Sequence, residues 1–174
     1  MYREPDLVTH GVSAETLDSK ANAGPRAPAR LVEYARGRFI ALPPHTTLEL
    51  LEHPAILSVP GGAYYGYGLL AWQGQQIPVL NFDALLRAYA AAAPAARPRY
   101  ALVIAYQQAP RAPVQHGALG LAALPRTIEV GDEAGCDLPE EGDLWPALAL
   151  SCFQHEGQAV PIINTARLFA AYHG

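Results

Sequence analysis

Short apolar runs, each ended by Gly, Pro or Asn, follow one another along the chain from Leu31 onward. Residues 31–35 and 38–42 predict two strands joined by a hairpin at Arg36-Gly37, and Pro43-Pro44 closes the second. The run Thr46-Thr47-Leu48-Glu49 fits a capping box, with Thr at the N-cap and Glu three residues on. It predicts a short helix through Glu52, stopped by Pro54. Residues 55–59 are expected to be extended, and Pro60-Gly61-Gly62 to form a turn. Strands are expected over 67–72 and 75–80 around Gly74, then a helix over 82–93 ended by Pro94. Further strands are expected over 100–106, 114–124 and 127–130, followed by an acidic loop over 131–143. The pattern closes with strands over 144–153 and 158–163 and a helix over 165–172. Residues 1–30 hold no sustained periodicity and are read as a flexible N-terminal arm.

One unit occurs twice. Residues 74–89 and 157–172 align without a gap at an offset of 83, with seven of 16 positions identical. The shared frame is a turn Gly, an apolar strand containing Pro78 or Pro161, then Asn81 or Asn164, then a short helix. Asn is a favoured N-cap for the helix that follows. Pro cannot donate to a ladder, so its place within the strand predicts an edge or a bulge. The spacing is too long for a solenoid. It suits two similar half-domains, each a small twisted barrel of about five strands, and each too small to be comfortable alone.

Composition narrows the class. Of 174 residues, 16% are charged, well below the roughly 25% of an average globular protein, while 51% are hydrophobic. The 15 Gly and 16 Pro argue for many short elements and against a helical bundle. A net charge of −4 leaves no basic footprint for nucleic acid. No apolar run approaches the ~18 residues of a membrane span, and the first residues lack the apolar stretch of a signal peptide, so a cytoplasmic protein is expected. Cys136 and Cys152 form neither a disulfide framework nor a zinc site; they read as two ordinary thiols, with a redox or bridging role as the alternative.

Candidate chemistry is sparse. The Gly-rich segment 61–68 has neither dinucleotide nor P-loop spacing, and no GxSxG occurs. The six His show no metal-ligand spacing, and the acidic group of the 131–143 loop lacks the alternating frame of a calcium loop. No catalytic residue, cofactor or metal is therefore assigned. The alternative is a ligand-binding or enzymatic barrel using His116, His155 and the acidic loop.

An ordered set of motifs resembles the CheW-like domain of bacterial chemotaxis coupling proteins. It runs through Gly37-Arg38-Phe39-Ile40-Ala41-Leu42, Leu48-Glu49-Leu50-Leu51, Ile56-Leu57-Ser58-Val59-Pro60, Gly68-Leu69-Leu70-Ala71-Trp72-Gln73-Gly74 and Ile77-Pro78-Val79-Leu80-Asn81. It continues through 101–106, 120–124 and 159–168, so it covers about 31–172. The resemblance implies a mainly β fold of two SH3-like five-stranded barrels with short helices, as two intertwined halves at roughly 31–93 and 100–172. It implies a non-catalytic adaptor that joins the regulatory domain of a CheA-type histidine kinase to the cytoplasmic tip of a methyl-accepting chemoreceptor, in chemotaxis or pilus motility. The implied partner-binding residues are Thr47, Glu49, Gly68 and Gln73. The chain departs from the family at Ala71-Trp72-Gln73, where Asn-Leu-Arg is usual, and at Asn81 and Leu124, where Asp is frequent.

Overall fold

The computed structural model describes residues 24–87 and 96–170. Eleven strands, β1 (Arg26–Ala35), β2 (Arg38–Leu42), β3 (Thr47–Glu52), β4 (Ile56–Leu57), β5 (Gly66–Trp72), β6 (Gln75–Leu80), β7 (Tyr100–Tyr106), β8 (Gln115–Leu121), β9 (Arg126–Gly131), β10 (Ala149–His155) and β11 (Gln158–Ile163), form two curled sheets. Helices α1 (Phe82–Arg87), α2 (Trp145–Leu148) and α3 (Thr165–Ala170) cover the sheet ends. The order is β10-β11-β2-β1-β9 in the first sheet and β3-β7-β8-β6-β5-β4 in the second.

Over their described residues, 74–87 and 157–170, the two copies of the repeat form the same unit. Each is a hairpin with two positive-φ residues at its turn, Gln73-Gly74 (φ 44° and 75°) and Glu156-Gly157 (φ 49° and 79°). Such a turn matches the right-handed twist of the flanking strands. Asn81 Oδ1 accepts from the Ala84 amide and Asn164 Oδ1 from the Arg167 amide, both at 3.1 Å, so both Asn residues are the expected N-caps.

Neither sheet is built from one half of the chain alone. The first sheet takes its β1–β2 hairpin from the N-terminal half and β9, β10 and β11 from the C-terminal half. The second sheet takes β3 to β6 from the N-terminal half and the β7–β8 hairpin from the C-terminal half. Each exchanged hairpin joins its host through a parallel pair, β2 with β11 and β8 with β6. Pro78 and Pro161 sit beside these joints, in central strands and not at an edge, and each hairpin is bulged close by, between Gly66 and Gly68 and between Ala149 and Ser151. The parallel ladders begin one residue later, at Val79↔Ala118 and Ile162↔Ala41, where an amide hydrogen is again available.

Burial explains the exchange. Along β1–β2, Leu31 and Ala41 face the inside of the first sheet with Phe153 and Val160, whereas Val32, Ile40 and Leu42 face the other sheet. Along β7–β8, Ala101, Val103 and Ala118 line the inside of the second sheet with Ile77 and Val79, whereas Leu102, Ile104 and Leu119 face the first. In the middle of each exchanged hairpin both faces are therefore buried, at residues 31–32, 40–42, 101–104 and 118–119. That is why these stretches read as short apolar runs and not as alternating ones.

Three other expectations are corrected. Residues 47–52 form strand β3, not a helix. The Thr46 and Thr47 hydroxyls donate to the carbonyls of Pro43 and Pro44, both at 2.8 Å, which closes a 3-10 turn and leaves no N-cap. The chain then extends along β7, from Thr47↔Ile104 to Glu52↔Tyr100. Residues 145–148 form α2 ahead of a strand that begins only at Ala149. Pro146 lies in the first turn, and the Trp145 indole donates to the Glu141 carbonyl at 2.8 Å. The expected arm ends earlier than residue 30, because residues 26–31 pair with β9 from Arg26↔Gly131 to Leu31↔Arg126. The remainder of that arm, residues 1–23, lies outside the described residues, as do 88–93 of the first expected helix and the last two positions of the final one.

Candidate docking surface

Strand β3 is an edge strand with almost no cover. Leu48, at a bulge between Thr47 and Glu49, is 48% exposed and Leu50 is 36% exposed, while Glu49 pairs with the buried Val103. Short apolar edges of this kind are where another chain can add contacts. Glu49 is held from within the molecule. The Trp72 indole Nε1–H donates to Glu49 Oε2 at 2.7 Å. Trp72 is buried and lies 4.9 Å from the His116 ring, whose Nδ1 is 3.4 Å from Gln75 Oε1. The Trp72 substitution in the family pattern thus brings β3, β5 and β8 together through one aromatic side chain.

The four implied partner-binding residues divide. Thr47 and Glu49 lie on β3, and Gln73 is exposed in the β5–β6 turn, next in the chain to the Trp72 that holds Glu49. Gly68 is buried, and the close approach there is intramolecular. A Cβ would overlap the carbonyl oxygen of Leu57, so Gly68 admits β4 alongside β5 at a bulge in the β5–β6 pairing. On β4 and just past it, Leu57, Val59 and Tyr64 are exposed and give the second sheet an apolar margin at its other edge. Leu48 and Trp72 belong to this surface although no motif marks them for it. Both belong to the quoted motifs, but only the strand assignment of 47–52 puts Leu48 outside and Trp72 beneath Glu49.

The chemistry of the alternative reading is dispersed. His116 lies tilted against Trp72 in the second sheet, whereas His155 ends β10 in the first. Within the acidic loop, Glu133 pairs with Arg26 at 3.2 Å and Glu141 with Arg38 at 3.7 Å. Among the described residues no three His, Cys, Asp or Glu side chains gather as a metal site. A cleft of about 400 Å³ opens beside the β1–β2 turn, lined by Tyr34, Arg38, Glu141, Trp145 and Pro161. Burial is the main reason that the Tyr34 phenol is raised above its usual 10.0; the Arg38 guanidinium partly opposes it. Tyr67 and Tyr106 are raised by burial as well. No helix among the described residues is long and apolar enough to cross a membrane.

Two curled sheets of SH3-like type, related by an internal repeat and joined by exchanged hairpins, define the CheW-like fold. The crystal structure of the scaffolding protein TtCheW from Thermoanaerobacter tengcongensis matches it with a TM-score of 0.63 at 13% identity, over 82% of this chain and 91% of that one. No protein-family model matches the chain, and no curated protein matches its sequence.

Proposed function

We propose that the chain is a non-catalytic adaptor that couples a CheA-type histidine kinase to the cytoplasmic tip of a chemoreceptor-like protein, in chemotaxis or pilus-motility signalling. The observation that carries this reading is the open β3 edge, where Leu48 and Leu50 are exposed on a strand with a free backbone side, in a fold shared with a scaffolding protein. A kinase regulatory domain of the same fold would find there an apolar strand to pack against. Thr47, Glu49 and Gln73 are the proposed polar contacts beside it, with Glu49 oriented by Trp72. Gly68 serves the same surface indirectly, by letting β4 seat against β5.

The experiment is direct binding of the purified chain to the kinase regulatory domain and the receptor tip encoded in the same genome. Micromolar or tighter association is expected, and Leu50→Glu should weaken kinase binding at least tenfold without unfolding the protein. Gln73→Arg restores the usual family residue and should strengthen receptor binding, since a guanidinium offers a planar charged fork that an amide lacks. No association with either partner at high micromolar concentration would end the adaptor reading.

A further inference from the structure

The backbone of the acidic loop meets strand β10 of the first sheet at a pair of thiols. Gly135 bridges Phe153 in antiparallel fashion, and the Cys136 amide donates to the Cys152 carbonyl at 3.1 Å. Cys136 and Cys152 are therefore cross-strand neighbours. Directly opposed residues in an antiparallel pair have Cα atoms about 4.5–5.5 Å apart, inside the range a disulfide spans. Their sulfurs already touch, with Cys136 Sγ donating to Cys152 Sγ at 3.3 Å. Cys136 is partly accessible and Cys152 is buried, the arrangement of an entry thiol with a resolving thiol behind it.

We propose that Cys136 and Cys152 are a redox site, forming a reversible intramolecular disulfide that staples the 131–143 acidic loop to β10. The oxidant is a small-molecule disulfide. The Cys136 thiolate attacks one of its sulfurs, the S–S bond breaks, and one small thiol leaves with the released electron pair and takes up a proton. Cys152 then loses its proton to solvent, and its thiolate attacks Cys136 Sγ. The second small thiol departs and is protonated. Two protein thiols are oxidised by two electrons, and one external disulfide is reduced to two thiols. Burial, then the contact with Cys136, pushes the Cys152 thiol up to about 12, so the second step is the slow one. The consequence falls on the loop, whose Glu140 and Glu141 wall the cleft beside Tyr34 and Trp145.

The test is incubation of the full chain with oxidised glutathione, followed by denaturation, thiol alkylation and peptide mass mapping. Because the chain holds two cysteines, the readout has no third thiol to confuse it. The expected product is a monomer with no alkylated thiol and a Cys136–Cys152 linked peptide. It should melt several degrees higher than the reduced protein and return to two free thiols with dithiothreitol. Cys152→Ser should stop at a glutathione adduct on Cys136. Retention of both thiols, a wild-type adduct that never resolves, or a disulfide between two chains would each overturn the proposal.

Discussion

A methyl group added at Gly68 has nowhere to go. The backbone there has φ +132°, and the space a Cβ would need is taken by the carbonyl oxygen of Leu57. Gly68→Ala therefore combines a strained backbone with displacement of β4, and a loss of about 2 kcal/mol or more is expected in chemical denaturation. A change below about 0.5 kcal/mol, the range of an ordinary surface substitution, would contradict the geometry. The motif shows the Gly but not the strand that it admits. Whether a Gly admits an outside partner or a neighbouring strand depends on where β4 lies, and nothing local to residue 68 records that. Glu49 carries the same lesson. Its place three residues after Thr46 imitates a capping box, yet its bond is to Trp72, 23 positions away.

The hairpin–helix unit that occurs twice shows where local pattern suffices. The turn, strand, Asn cap and helix are set by contacts within a few residues, so the repeat announced all four. Asn81→Ala and Asn164→Ala should each cost about 1 kcal/mol in equilibrium unfolding, because each removes the acceptor of an otherwise orphaned helix amide. A much larger effect at one site than at the other would show that the two copies have diverged in their use of the cap. Strand β3 and helix α2 show where local pattern fails. Thr47–Glu52 is a strand because β7 presents a free edge to it, and Trp145–Leu148 is a helix because Trp145 buries against Tyr34 and Phe82.

Buried acids spread across the molecule give it a common pH response. Tyr34, Tyr67 and Tyr106 are raised above 10.0, and Cys152 is raised from 9.0 to about 12. In each case the folded state keeps a proton that the unfolded chain would release. Their contribution to stability is complete below about pH 9 and is lost as pH rises through the interval from 9 towards 12. Thermal unfolding should show a flat Tm from neutral pH to about 9 and a steep fall above it. In Cys152→Ser the fall should begin later, near the tyrosine range. A fall of equal onset in both proteins would remove Cys152 from the account.

Alternation, turn chemistry, the doubled Gly-Gln-x-apolar-Pro unit and the caps are local properties, each decided by a handful of neighbouring side chains. They were enough to establish a mainly β repeat protein, and the CheW-like fold was reached only through the resemblance of the ordered motifs to a known family. Partner strands are chosen by burial over the whole chain. Two hairpins with apolar side chains on both faces are buried on both only if each joins the sheet of the other half, and no window of sequence shows which strands each will join. The same long-range choice put Leu48 and Leu50 at an open edge, Trp72 against Glu49, and the Cys136 and Cys152 sulfurs in contact.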